Sequence, residues 1–170
     1  MLEPLTVAAT AHVPLHWSAF RLDLVRRAGG PLQVANWLIA QANARGFHGA
    51  YVNREEAVDP SLGLEDLIVG LLMPHAELDA RIVKLVVRVL QSGQLDATKL
   101  AFRARRERAD IALAWVLRLV PEGERNAPLE AIARLLRAPR GGAQIRFNYD
   151  SQRLVRRPAT REQLWRAKHS

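Results

Sequence analysis

Ala80-Arg81-Ile82-Val83-Lys84-Leu85-Val86-Val87-Arg88-Val89-Leu90-Gln91-Ser92 is the stretch from which the rest of the chain can be read. Ile82, Val83, Leu85, Val86, Val89 and Leu90 recur at helical spacing and make one wide apolar face. Such a face needs a core to cover it. Asp79 can cap the start of this helix, and Gly93 ends it.

The same reading extends in both directions. Toward the C-terminus, Asp96 can cap a helix over 97–108, and a further apolar helix runs from about 109 to 120, where Pro121 stops it. After Gly123, Asn126 and Pro128 mark a helix over 128–137, carried by Leu129, Ile132, Leu135 and Leu136. Toward the N-terminus, Ser61 or Gly63 opens a helix over 64–73 that Pro74 interrupts. Residues 46–60 hold Gly46, Gly49, Asp59 and Pro60, and read as a loop with one turn of helix at 53–57.

Leu32, Ala35, Leu38, Ile39 and Ala42 define a helix over 31–45, with Trp37 adding bulk, Arg45 in its last turn and Gly46 just beyond. A first helix over 16–28 rests on Leu15, Phe20, Leu22, Leu24 and Val25. Gly29-Gly30-Pro31 separates the two, because glycine can leave a helix with positive φ and proline suits a first helical turn. Residues 1–15, with Pro4 and Pro14, read as extended. Leu78-Asp79-Ala80 and Leu95-Asp96-Ala97 recur 17 residues apart, a faint echo of helical repeats that a common helix-start signal explains as well.

Past Pro139-Arg140-Gly141-Gly142 the period changes. Gln144-Ile145-Arg146-Phe147-Asn148-Tyr149 alternates strictly, the signature of a half-buried strand. Asp150-Ser151 can turn the chain and Leu154-Val155 can supply a return strand. A last short helix can start at a Thr160 cap. The expected fold is therefore mainly α: one compact helical domain over 1–170 with a short β-hairpin at 143–157.

Composition supports that class. The chain is 49% hydrophobic but only 6% aromatic, so its core is built from Leu, Val, Ile and Ala. It contains no cysteine, which excludes disulfides, thiolate metal sites and cysteine nucleophiles. The N-terminus has no basic segment followed by an apolar run, and the stretches 67–73 and 111–117 are too short to span a bilayer. The expectation is a cytoplasmic protein without a membrane partner.

Charge is the strongest functional signal. Residues 1–100 are near neutral, with 9 Lys+Arg against 10 Asp+Glu, whereas residues 101–170 hold 16 against 7. The net charge of +8 is thus entirely C-terminal. That asymmetry points to an anionic partner, although 22 Arg against 3 Lys is also what a GC-rich genome produces. Phe102-Arg103-Ala104-Arg105-Arg106-Glu107-Arg108 places four arginines on one or two helical turns, of which Arg103, Arg105 and Arg106 are candidate contacts; Arg134, Arg137 and Arg140 follow, and Arg146, Arg153, Arg156 and Arg157 lie on the expected hairpin. Arginine's planar fork suits phosphates and stacks on bases.

The order of three helices followed by a hairpin is that of a winged helix-turn-helix. In that arrangement Arg134 and Arg137 would project from a recognition helix and Arg146, Arg153, Arg156 and Arg157 from the wing. The alternative is a hairpin that merely covers the end of the helical core, its arginines solvated or paired with Glu122, Glu124 and Glu130.

Catalytic patterns are weak. His12 and His16 are separated by Pro14 and lack a carboxylate that would complete a metal set; His48 and His75 sit in loops without an identifiable partner. Glu55-Glu56 and Glu65-Asp66 are adjacent carboxylates that point about 100° apart on a helix, and read as solvated faces. Pro139-Arg-Gly-Gly142 lacks the Lys-Ser/Thr of a phosphate loop. Neither a cofactor, a metal site nor a catalytic residue is expected.

Two functions follow. The first is a non-catalytic protein that binds DNA or RNA through the ten arginines named above. The second is a helical adaptor that docks on an acidic protein partner through its hairpin and tail, with Leu164 and Trp165 as anchors. An enzyme using His48 or His75 is a minor third.

Overall fold

The computed structural model describes residues 17–48, 52–73, 80–92 and 94–136. Within them lie seven α-helices: α1 (Ala19–Ala28), α2 (Val34–Ala44), α3 (Leu64–Leu72), α4 (Ala80–Leu90), α5 (Ala97–Arg106), α6 (Asp110–Leu119) and α7 (Ala127–Leu135). Short 3-10 turns at Pro31–Gln33 and Glu122–Glu124 lead into α2 and α7. No strand occurs among the described residues, and their fold is mainly helical.

Three of the helices, α1, α5 and α7, start at a short polar side chain that accepts from a free backbone N–H. Ser18 Oγ accepts from Arg21 N at 3.2 Å, Asp96 Oδ1 from Lys99 N at 2.9 Å, and Asn126 Oδ1 from Leu129 N at 3.0 Å. Three helices end in one motif. In α1 the N–H of Gly30 reaches Val25 O at 3.0 Å, in α2 Phe47 reaches Ala42 O at 3.0 Å, and in α5 Ala109 reaches Ala104 O at 2.8 Å. The motif requires a left-handed residue at its corner. Gly29 (φ 84) and Gly46 (φ 87) supply it for α1 and α2, but at α5 the corner is Arg108, with φ 59.

α3 is the centre. Its sequence is apolar nearly all round, and Leu67, Ile68, Val69, Leu71 and Leu72 are all buried, as a helix without a polar face demands. It packs against α2, α4, α5 and α6. Gly70 lets α3 approach α1 and α2: a Cβ there would lie 2.7 Å from Leu38 Cδ1 and 3.1 Å from Leu24 Cδ1. Close packing is the reason for a glycine in mid-helix, where it costs about 1 kcal/mol relative to alanine. α4 buries Ile82, Val83, Leu85, Val86, Val87, Val89 and Leu90 against α2, α3 and α6. α1 lies on α2, and α7 on α5 and α6, at opposite ends of the chain order.

The segment between α2 and α3 is held by polar groups rather than by helix. Gln41 Nε2 donates to Ala57 O at 2.8 Å and its Oε1 accepts from Asp59 N at 2.8 Å. Arg45 Nη2 donates to the carbonyls of Asp59 and Leu62, at 2.6 and 2.7 Å.

Four expectations need correction. The helical turn at 53–57 does not form; Ala57 O and, just beyond, Asp59 N bond to the Gln41 side chain of α2. Leu32 is not on a buried face but 86% exposed, because the chain enters α2 through the 3-10 turn and the first α-helical residue is Val34. The first helix begins at Ala19, where the Ser18 cap sets its start. The Glu65-Asp66 pair is not solvated, as described below. The expected hairpin at 143–157, the Asp79 cap, the Thr160 helix, His12, His16 and His75 lie outside the described residues. Among the described residues, no helix is long and apolar enough to cross a membrane.

Candidate nucleic-acid interface

α5 presents two faces of opposite character. Leu100, Ala101 and Ala104 turn inward, while Thr98, Lys99, Phe102, Arg105 and Arg106 turn outward, the division that helical periodicity imposes. Phe102 is 64% exposed. A phenyl ring standing in water among cations is the unusual feature here, since exposed arginines by themselves are ordinary.

The four expected contact residues that are described differ in what they do. Arg103 is half-buried: its Nε is 3.1 Å from Asp66 Oδ1, and its guanidinium sits 4.8 Å from the Phe20 ring centroid. Arg105 donates to the carbonyl of Leu135, tying α5 to the end of α7. Arg106 is exposed and has no ion-pair partner among the described residues. Arg134 is exposed on α7 and its Nε donates to Glu130 O of its own helix at 3.3 Å. Arg137, Arg140, Arg146, Arg153, Arg156 and Arg157, with Leu164 and Trp165, lie outside the described residues.

Sequence reasoning gives Phe102 no contact role and counts Arg108, two residues past the end of α5, only among the four arginines of the run. Arg108 is exposed and, like Arg106, has no ion-pair partner among the described residues. A left-handed conformation costs an L-residue roughly 1–2 kcal/mol, and glycine fills the same corner in α1 and α2. Strain at an exposed cation is a pointer to use.

Beneath Arg103 and Arg106 a cleft of about 310 Å³ opens between α1, α3 and α5. Glu107 forms part of its wall and is 1% exposed. Its Oε2 accepts from Ser18 Oγ at 2.6 Å and faces Arg21 Nε at 3.4 Å, while Arg21 Nη2 donates to Glu107 O at 2.8 Å. Glu107 Oε1 and Asp66 Oδ1, both buried in residues that line the cleft, accept no hydrogen bond from the protein. The Arg103–Asp66 contact is thus an ion pair without hydrogen-bond geometry. Buried polar atoms without a donor each cost about 1–3 kcal/mol.

None of the known families, curated proteins and solved structures compared with this chain matches it. Function therefore rests on the chemistry of these surfaces. His48 is exposed at the end of the α2 exit loop. Among the described residues, no group of three or more His, Asp or Glu is placed to hold a metal ion.

Glu65 and Asp66, at the start of α3, tie that helix to α5. Glu65 is 7% exposed; its Oε1 accepts from Asp96 N at 2.9 Å and its Oε2 from Lys99 Nζ at 3.0 Å. Burial pushes the Glu65 carboxyl pKa up, but the Asp96 N–H and the Lys99 ammonium outweigh it and hold the group below the usual carboxylate range. A depressed carboxylate contributes stability that is present above its unfolded pKa, about 4.3, and is lost as pH falls through the folded value. Glu65→Gln keeps an acceptor for Asp96 but loses the charge. It should cost about 1 kcal/mol at pH 7, discounted for the half-exposed Lys99, and flatten the loss of melting temperature below pH ~4. Thermal melts from pH 7 to pH 3 check this.

Proposed function

We propose that the protein is a non-catalytic nucleic-acid-binding protein whose folded contact surface is the outer face of α5. The observation that carries the reading is Phe102, exposed on the helix face that also bears Arg105 and Arg106, with Arg108 just beyond. An aromatic ring among exposed guanidiniums is a stacking platform inside a phosphate-attracting field, which suits unpaired bases better than a closed duplex. α7 is the poorer candidate for the contact. Glu130 lies in its first turn, Glu122 and Glu124 precede it, and Arg134 is its one exposed cation among the described residues.

Sequence charge supports an anionic partner as well. Residues 137–170 hold nine Lys+Arg against two Asp+Glu, and they follow directly from the helix end that Arg105 grips.

Fluorescence anisotropy with a labelled single strand tests the reading. The full chain should bind at low salt. Phe102→Ala should weaken binding by about 5- to 150-fold, the equivalent of roughly 1–3 kcal/mol of base stacking, without changing the salt dependence, because no charge is altered. Equal affinities for Phe102→Ala and the parent would remove the platform and with it the reading.

Arg108→Gly should act in the opposite sense on stability and binding. Relief of left-handed strain exceeds glycine's extra unfolded-state entropy by a few tenths to about 1 kcal/mol, so the melting temperature should rise. Affinity should fall, and the slope of log K against log salt should flatten by about 0.7 for a single strand. A variant both more stable and equally tight would show that Arg108 touches nothing anionic.

A further inference from the structure

We propose that the cleft between α1, α3 and α5 takes the base of an unpaired guanine from the strand that lies on α5. The inference rests on the nucleic-acid reading above and gives it a preference among bases.

The cleft adjoins the platform. Arg106, on its rim, is one helical turn from Phe102 and has no ion-pair partner among the described residues, which leaves it for a phosphate. The Arg103 guanidinium lies 4.8 Å over the Phe20 ring and leaves its outer side as a plane of the kind on which proteins hold splayed bases. At about 310 Å³ the space is at the lower end of the roughly 300–1,000 Å³ of small-ligand pockets, enough for one base.

The wall supplies the selectivity. Asp66 Oδ1 and Glu107 Oε1 are acceptors that lack a protein donor. A ligand that satisfies them must bring N–H groups. Guanine alone among the common bases carries two adjacent donors on its pairing edge, the ring N1–H and the 2-amino group, which match a carboxylate. Adenine and cytosine bring one amino group, and uracil one ring N–H. Both oxygens are covered in the empty cleft, so access requires a side chain to move. Arg103 is the one to yield: its hold on Asp66 lacks hydrogen-bond geometry, and leaving it frees the carboxylate while the guanidinium stays on the base face. Glu107 keeps Ser18 and Arg21 through Oε2, and only Oε1 is offered.

The test compares labelled nine-residue strands, all-uridine and the same strand with one central guanosine or inosine, together with the corresponding deoxy series on thymidine. On the full parent chain a single guanosine should tighten binding by about fivefold or more, the lower bound for one good bidentate base contact. Inosine, which keeps N1–H but lacks the 2-amino group, should lose most of that gain. A gain in either sugar series supports the proposal and shows which strand the cleft accepts. In Asp66→Asn, checked for an unchanged fold by its melting curve, the guanosine-to-uridine affinity ratio should collapse toward one. If that variant unfolds, the guanosine–inosine comparison on the parent chain still carries the test. Strands bound equally well with and without guanosine would overturn the proposal and leave the α5 platform standing. Binding of no strand at any salt would overturn both.

Discussion

Val86→Asp is expected to abolish the folded state. Val86 has no exposed surface and sits on the face of α4 that packs against α2, α3 and α6, between Ile82, Val83, Val89 and Leu90. The substitution removes buried methyl groups, worth about 1.5 kcal/mol or more. It also places a carboxyl group among buried apolar side chains, a burial that costs several kcal/mol even after protonation. A domain of this size has about 5–15 kcal/mol of stability in total. The two losses together consume most of it, so circular dichroism should show a strong loss of helix at 25 °C, or the chain should be recovered as aggregate. Arg88→Ala on the exposed face of the same helix should leave the melting temperature within about 2 °C and serves as the control. A soluble Val86→Asp with an unchanged melt would mean that this face is covered by something other than the chain's own core.

The α4 face was legible in the sequence because its signal is redundant: six apolar residues agree on one periodicity. The same holds for α2, α3, α5, α6 and α7, whose boundaries fall within about three residues of the pattern. Three features were not legible, each for a physical reason. Residues 53–57 have helix-compatible side chains, but Gln41 of α2 and Arg45, just past its end, capture the backbone groups around Ala57 to Leu62. That is a tertiary effect which local propensity does not contain. Glu65 and Asp66 look like surface residues in one dimension; Glu65 is buried and Asp66 half-buried because α5 brings Lys99 and Arg103 across to them.

Arg108 carries the third lesson. Glycine marks a left-handed corner in a sequence, as Gly29 and Gly46 do, so an arginine there is silent until φ is seen. The candidate site was only half legible. The charge run 103–108 was visible at once, but not that Arg103 is held by Asp66 and Phe20, that Arg105 holds α7, or that Phe102 is left outside.

The largest effect on binding is expected from the basic residues beyond α7. If α5 and residues 137–170 contact one strand, affinity should fall steeply with salt, because every neutralised phosphate releases condensed counterions. Arg153→Ala, Arg156→Ala and Arg157→Ala combined should weaken binding and flatten the slope of log K against log salt. The flattening should be about 2 for a single strand, at roughly 0.7 per phosphate, and close to 3 for a duplex, at roughly 0.9. The slope therefore reports the form of nucleic acid as well as the number of contacts. Phe102→Ala should leave the slope alone while lowering its intercept, so the two variants separate stacking from charge. Arg134→Ala separates the two candidate helices: it should do little if α5 is the contact surface, and should alter sequence preference if α7 enters a groove. The adaptor reading expects no such pattern, since the weak attraction of any basic protein for nucleic acid would survive each substitution about equally. A slope that is flat in the parent chain, or no binding at low salt, would remove nucleic acid as the partner and leave an acidic protein surface as the better match to the +8 charge.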